Sequence, residues 1–435
     1  RSAVMSSADF RSLSQYNEPL IRSPSIYSSI GSGIYLPQGT PLHGGVFVLA
    51  NTILGAGMLG LPFAFAACGY LMGTLMLTGF GACATGALVM LSEAADHVGR
   101  PASFNSVAEL AIPGAGIAFD AAIAIKCFGV ATSYLIVVGD SIPKAAVHLG
   151  ASGILLERRF WTLAALAVAA PLAYMPRITA LRHVSAVALA CVGLITVMIV
   201  VFAFSPSSDF DPYSECESIE QCKGPTALVT NPSQTLHALP LFVFSYTCHQ
   251  NIFSITNELS DPTPQRNIKV CVLAVGAALA VYIILGASGY STFGGLVDHD
   301  ILASYPSDNG IVAVARLAIS LVVSCCYPLQ AHPSRACTTS IVRACGGEDI
   351  DDFVLHMAIT TVFVLASGSI ALVVTDLGLI LSVVGATGST TVSYILPGAC
   401  YFILFPERPS RWLGFLLACT GLIIMPLSLC LIFWK

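Results

Sequence analysis

The sequence predicts an all-α integral membrane protein with about eleven membrane-spanning helices. Of its 435 residues, 55% are hydrophobic and 10% are charged, whereas soluble proteins average about 25% charged residues. Apolar stretches of about 20 residues, the length that crosses a bilayer, recur along the chain. Two of them are interrupted by glycine or polar residues, which hydrocarbon tolerates only where they face protein or a cavity. The net charge of −5, without a basic patch, gives no indication of a nucleic-acid partner.

The spans follow a flexible segment at the start of the chain. Residues 1–42 contain arginine, serine and proline but no apolar core of the length that a signal peptide needs. We expect a disordered cytosolic tail over 1–42 and one transmembrane domain over 43–435. The predicted spans lie near 44–68, 70–93, 116–139, 160–175, 184–204, 236–258, 270–293, 311–330, 353–374, 378–403 and 411–433.

The distribution of lysine and arginine predicts the orientation. With a cytosolic N-terminus, 12 of the 19 basic residues lie in cytosolic segments, 5 lie on the other side and 2 lie within spans. Basic residues concentrate on the cytosolic side of membrane proteins. The loop near 205–235 would then face a lumen or the exterior, where Cys216 and Cys222 either form a disulfide or remain two free thiols.

The first interrupted span contains the sequence Asn51–Pro62. Glycines at 55 and 57 permit an unwound backbone, which would expose the amides of Ala56, Gly57 and Met58 to an anionic group. Freed carbonyls near residues 49–53 would suit a cation or an ammonium. Glycines also serve close helix packing in membranes, so Gly55 and Gly57 alone fit either interpretation.

The sixth span carries a run of polar side chains at its centre. Its first half would end near Phe244 and Ser245 with unpaired carbonyls, and polar residues fill 246–251. Together the two breaks would offer amides to a carboxylate and carbonyls to an amine, as the zwitterionic head of an amino acid requires. Paired broken helices in two halves of a chain indicate the binding site of a transporter.

Four stretches in order resemble the amino acid/auxin permease family. They are Asn51–Pro62, Lys126–Asp140, Leu239–Glu258 and Tyr327–Arg335. The similarity covers roughly residues 43–434, and the nearest branch is that of the fungal-type vacuolar amino acid transporters, related to sodium-coupled neutral amino acid transporters. The resemblance implies a LeuT-type fold of two inverted five-helix repeats plus one additional helix.

The resemblance also implies roles for individual residues. In the first span it assigns Asn51, Gly55 and Gly57 to the region that holds substrate and cation. In the eighth span, Cys326, with Ser324 nearby, stands where sodium-coupled relatives have a hydroxyl ligand. Because a thiol is a poor ligand for a hard cation, this difference favours protons. Lining of the sixth-span break is assigned to Ser245, Thr247, His249 and Asn251.

Two ionisable side chains within the predicted spans are candidates for ion coupling. Lys126 is either a buried charge on the transport path, with Glu258 as its partner, or a residue that extends to the cytosolic edge. His249 titrates near physiological pH and fits either a pH-sensitive role or a plain hydrogen-bonding one. The sequence shows no cofactor motif and no metal-ligand spacing.

The sequence therefore predicts a secondary active transporter of neutral or acidic amino acids that works by alternating access. We expect proton coupling in a vacuolar or lysosomal type of membrane, with a sodium symporter, a plasma-membrane location and a receptor-like nutrient sensor as alternatives. An intramembrane enzyme lacks a recognisable catalytic pair. A twelve-span facilitator, suggested by the sequence at 96–100, would need a further span.

Overall fold

The computed structural model describes residues 41–175, 181–204 and 210–433, so that nearly all of the expected tail lies outside the described residues. Within these ranges the chain forms eleven spans, eight as long apolar helices and three that are shorter or broken. Their bounds are Leu42–Ile53 with Leu61–Cys68, Tyr70–Val98, Gly116–His148, Arg158–Tyr174, Leu181–Phe204, Pro232–Ser245 with Ile252–Glu258, Pro264–Phe293, Gly310–Ala344, Asp352–Val373, Leu377–Val384 continuing to Leu396–Leu404, and Arg411–Phe433. We number them span 1 to span 11.

Polar caps and glycines fix several ends of the spans. Asn309 accepts two backbone amides at the start of span 8, and Asp351 does the same for span 9, which satisfies donors that a helix N-terminus leaves free. Between spans 1 and 2, Gly69 has a φ of 85°. A Cβ at this position would lie 2.6 Å from the Leu228 carbonyl oxygen, so the tight turn requires glycine.

Span 3 lies at the centre of the bundle and span 11 at its edge. In the most apolar 18-residue segment of each helix, 72% of the residues of span 3 are buried, compared with 28% of those of span 11. The outer surface of the bundle carries apolar side chains that are more than half exposed, as a lipid-facing surface requires. Examples are Leu75, Val168, Val197, Val362 and Leu416.

The spans alternate in direction, which places Arg100, Arg343 and Arg408 at one end of the bundle and Lys144 and Arg158 at the other. We call these the basic end and the opposite end. A short helix, Phe104–Ala111, lies at the basic end, and the helix Ile301–Ser304 lies at the opposite end. The hydropathy pattern did not predict either helix. Spans 3 and 8 are also longer than predicted, because both helices continue beyond their most apolar segments.

Span 10 contains two π-helical segments, Gly385–Ser389 and Thr391–Ile395. A Cβ at Gly385 would lie 2.1 Å from the carbonyl oxygen of Pro240, and one at Gly388 would lie 2.6 Å from Cβ of Lys126. Span 10 therefore packs with its backbone against spans 6 and 3, and these glycines serve close packing.

The loop before span 6 contains a disulfide between Cys216 and Cys222, whose Cα atoms are 6.4 Å apart. Of the two states that the sequence left open for this pair, the structure has the bonded one.

Candidate functional site at two helix breaks

Span 1 is broken at the predicted glycines. Its first helix ends at Ile53, and its two halves are bent by 47°. Gly55 is extended, and a 3₁₀ turn follows over Ala56–Gly60. Within this segment the amides of Ala56 and Gly57 have no backbone acceptor, whereas that of Met58 donates to the Gly55 carbonyl at 3.2 Å. Two of the three amides expected to be available are therefore free of backbone bonds.

Span 6 is broken at the predicted polar run. Its first helix ends at Ser245, a 3₁₀ turn covers His249–Asn251, and a second helix starts at Ile252. Pro240, five residues before the break, removes one backbone donor from the first helix. The Thr247 amide donates to the Phe244 carbonyl at 3.0 Å, so this carbonyl is not unpaired as the sequence suggested.

A tyrosine of span 7 connects the two breaks. The Tyr282 hydroxyl lies 2.5 Å from the carbonyl oxygen of Ile53 and 2.8 Å from that of Ser245, and donates to both. The Asn251 amide adds a second link, because it donates to the Thr52 hydroxyl at 2.9 Å. Each carbonyl oxygen has two lone pairs. The Ile53 carbonyl also accepts the Gly55 amide at 2.8 Å, so of the two it is the Ser245 carbonyl that can still accept a bond from a ligand.

Two aromatic side chains lie against the glycines of span 1. A Cβ at Gly57 would lie 2.9 Å from the ring of Phe244, and one at Gly55 would lie 3.7 Å from the Tyr134 hydroxyl. The Phe244 ring therefore packs beside Gly57, and Tyr134 brings a polar atom of span 3 to the break. Sequence reasoning missed Tyr134 and Tyr282, although a tyrosine hydroxyl in an apolar span needs a polar partner.

The polar side chains of span 6 divide into two groups. The hydroxyls of Ser245 and Thr247 donate to carbonyls of their own helix, at 2.7 and 2.8 Å. His249 is fully buried and turns toward span 2, where its Nε2 lies 3.3 Å from the Ala84 carbonyl oxygen. Asn251 alone among these four bonds to span 1. Asn51, on span 1, has an interaction of its own.

The candidates for ion coupling do not form one cluster. The Ser324 hydroxyl donates within span 8, to the Ser320 carbonyl at 2.7 Å. Cys326 is partly buried and packs against the hydrophobic core. Lys126 is 2% exposed and packs against Gly388 of span 10. Among the described residues, no ion pair joins Lys126 to Glu258. The prediction that Glu258 is the partner of this lysine is therefore wrong.

The described residues contain no group of three or more His, Cys, Asp or Glu side chains that could hold a metal ion. The site is thus built from backbone groups, hydroxyls and amides. These groups suit an organic zwitterion or a small cation better than a transition metal.

A family model described as "Transmembrane amino acid transporter protein" matches residues 39–434 of this sequence. The chain belongs to this family. Because the family is one of transporters, the intramembrane-enzyme alternative is set aside. The eleven spans of the described residues contradict the twelve-span alternative, and the Asp96–Arg100 pair that suggested it is a local ion pair of 2.6 Å.

The similar proteins agree with this assignment. Vacuolar amino acid transporter 6 of Saccharomyces cerevisiae is 33% identical, over 88% of this chain and 97% of that protein. Vacuolar amino acid transporter 5 of Schizosaccharomyces pombe is 37% identical, over 82% and 83%. Human sodium-coupled neutral amino acid transporter 7 is 27% identical, over 83% and 79%.

Among solved structures, the inward-facing conformation of Mhp1 has a TM-score of 0.59 to this chain at 14% identity. The match covers 96% of this chain and 94% of Mhp1. At this identity the likeness shows the fold alone. The predicted all-α fold of the LeuT type is thereby confirmed.

Proposed function

We propose that this protein is a secondary active amino acid transporter that binds its substrate between the breaks of spans 1 and 6. The observation that carries the proposal is the pairing of the two breaks, linked through Tyr282 and through Asn251. The free amides of Ala56 and Gly57 would take the substrate carboxylate. The Ser245 carbonyl, whose one partner among the described residues is Tyr282, would take its ammonium.

Alternating access is supported by a cavity at each end of the bundle. The basic-end cavity, of about 380 Å³, includes Gln250 of the span 6 break in its lining. The opposite-end cavity, of about 450 Å³, is lined by Asp140, Arg158 and Asp300 and by none of the break residues. Gln250 thus brings one residue of the span 6 break to the basic-end cavity, and rocking of the broken helices would open the substrate region to each end in turn.

Proton coupling and a vacuolar or lysosomal type of membrane complete the proposal, with the basic end in the cytosol. The relatives named as vacuolar transporters support this location. Cys326 supports protons, because its thiol is a poor sodium ligand. Transport would then run from an acidic lumen to the cytosol, with neutral or acidic amino acids as substrates.

The decisive experiment is uptake of a panel of labelled amino acids into proteoliposomes under separate proton and sodium gradients. We expect accumulation with an imposed pH gradient and no requirement for sodium. Uptake that needs sodium and ignores the pH gradient would favour the mode named for the human relative. Specific binding without uptake or counterflow of any amino acid would instead indicate a nutrient sensor on the same fold.

A further inference from the structure

The basic-end cavity has polar groups that the transport site does not use. Its wall is formed by the short helix Phe104–Ala111, the first turns of span 3, the second half of span 6 and the last turns of span 8. The cavity extends from Gln250, in the break, to Arg343 and Asp352 at the end of the bundle. Its volume of about 380 Å³ lies within the range of about 300–1,000 Å³ that holds small ligands.

Asp120, in the second turn of span 3, presents a carboxylate with one unsatisfied oxygen to this cavity. The residue is 5% exposed, and its Oδ2 atom has no hydrogen-bond partner. Ser340, Cys337 and Asn105 surround the carboxylate with hydrogen-bond donors. Among the described residues, no ion pair includes Asp120. A buried carboxylate normally has a cationic partner, and here a ligand would have to supply it.

Gln250 presents a second unsatisfied group. The side chain is 4% exposed, and neither its amide nitrogen nor its amide oxygen has a partner. A buried amide without hydrogen bonds is unfavourable, because it has lost its bonds to water and gained none in return. A ligand that forms hydrogen bonds with this amide would therefore satisfy a polar group that has no partner in the empty cavity, and this would favour binding.

Most other polar groups of the cavity already have partners. The Asn257 side chain bonds to both the amide and the carbonyl of Ala102. The Arg343 guanidinium donates to two backbone carbonyls and to Asp352. The unsatisfied groups are thus one carboxylate oxygen and an amide, with the apolar walls of Phe104, Ile123 and Phe253 beside them.

We propose that this cavity is a second amino acid site, which receives the substrate after it leaves the two breaks. Asp120 Oδ2 accepts a hydrogen bond from the ligand's ammonium group, the Gln250 amide donates to its carboxylate, and the apolar wall contacts its side chain. This assignment of the ligand rests on the proposed function. The chemistry of the site, a primary ammonium bound by a buried carboxylate, can be tested independently of transport.

The test uses the full chain in detergent with Ala336→Cys, a small substitution in the cavity wall that provides a thiol for labelling. Reaction of the introduced thiol with N-ethylmaleimide is followed by fragment-ion mass spectrometry, which separates its label from that of the neighbouring Cys337. Propylamine should slow the labelling several-fold, and propionate, which lacks the ammonium, should not. Asp120→Asn in this background should abolish the protection, because it removes the charge and keeps the shape.

Two further variants make the result specific. Asp349→Asn, which removes an exposed carboxylate at the same end of the bundle, should leave protection by propylamine intact. Gln250→Leu should weaken protection by alanine but not by propylamine. Melting temperatures verify that every variant is folded. If Asp120→Asn does not fold, Ser340→Ala replaces it: this variant retains the carboxylate, so propylamine should still protect its introduced thiol.

Absence of protection by propylamine, or equal protection in Asp120→Asn, would overturn the inference even if amino acid uptake is normal. Protection by propylamine without uptake of any amino acid would count against the proposed function and leave the ammonium site in place.

Discussion

At the scale of the residue, the decisive feature is the hydroxyl of Tyr282. A tyrosine hydroxyl has one proton, and here it lies between two carbonyls that come from different helix breaks. Both carbonyls lie at ends of helix segments, where regular helical bonding stops. Tyr282 thereby holds the two breaks at a fixed separation. Its hydroxyl lies beside the position at which the ammonium of a substrate would bind.

Tyr282→Phe keeps the ring, including its edge contact with Tyr246, and removes both hydrogen bonds. We expect uptake in proteoliposomes to fall at least tenfold and the free energy of unfolding to fall by about 1–3 kcal/mol, because the Ser245 carbonyl loses its donor and the Ile53 carbonyl keeps that of Gly55 alone. The control is Tyr290→Phe on the same helix, whose hydroxyl accepts the Ala227 amide away from the breaks. If both variants lose stability but transport equally well, Tyr282 has a structural role alone.

The pKa of Asp300, at the opposite end of the bundle, gives a prediction of how the free energy of unfolding changes with pH. Its pKa is raised to about 7, mainly by burial. The Leu302 amide and Lys144 lower this pKa, and the carboxylates of Asp140 and Asp298 add to the upward shift. In the unfolded chain the pKa of an aspartate is about 3.9. The folded state thus holds the proton more tightly, so its stabilising effect is complete below about pH 4 and is lost as the pH rises toward 7.

Asp300→Asn should therefore raise the melting temperature at pH 8 and change it little at pH 4. The gain in free energy of unfolding should be roughly 1–4 kcal/mol, since each unit of pKa shift corresponds to about 1.4 kcal/mol. Asparagine can still accept the Leu302 amide. Glu217→Gln, in an exposed part of the loop before span 6, is the matched control. An equal gain at both pH values would contradict the assignment of a raised pKa.

At the scale of the element, the two broken helices could be predicted because their signals are local. Glycines and a run of polar side chains at mid-span are visible without knowledge of the fold. What joins the breaks was not predictable in this way, because Tyr282 and Ile53 are 229 residues apart in sequence. Local patterns likewise could not show that His249 turns toward span 2 or that Met58 bonds within its own turn.

The glycines of span 1 differ in the space around them, which gives a prediction for this element. Gly57→Ala would place a Cβ 2.9 Å from the Phe244 ring, whereas Gly55→Ala would make an ordinary contact of 3.7 Å with Tyr134. We expect Gly57→Ala to lose most uptake and about 1–3 kcal/mol of stability through overpacking, and Gly55→Ala to stay within about twofold of the wild type. Adding Phe244→Leu to Gly57→Ala should restore part of the loss. Equal effects of the two substitutions would show that sterics do not decide the geometry of the break.

At the scale of the whole molecule, Arg158 stabilises a conformation in which spans 3, 4 and 9 are held together at the opposite end. Its guanidinium donates to Asp140 of span 3 at 2.5 Å and to the carbonyls of Ala371 and Val374, at the end of span 9, at 2.9 and 3.1 Å. One side chain of span 4 thus ties three elements together beside the opposite-end cavity. Alternating access must loosen such ties for the site to open at that end.

Arg158→Lys keeps the charge but cannot make three divergent bonds with a single ammonium group. If the substitution destabilises this conformation by about 1.4 kcal/mol, the population ratio between it and the conformation open at the opposite end shifts tenfold. We therefore expect slower labelling of a cysteine introduced by Ala336→Cys in the basic-end cavity, measured with the purified protein. Arg159→Lys, an exposed neighbour, should not change the rate. Unchanged or faster labelling in Arg158→Lys would mean that this network does not hold the opposite end closed, and that another contact sets the balance between the two states.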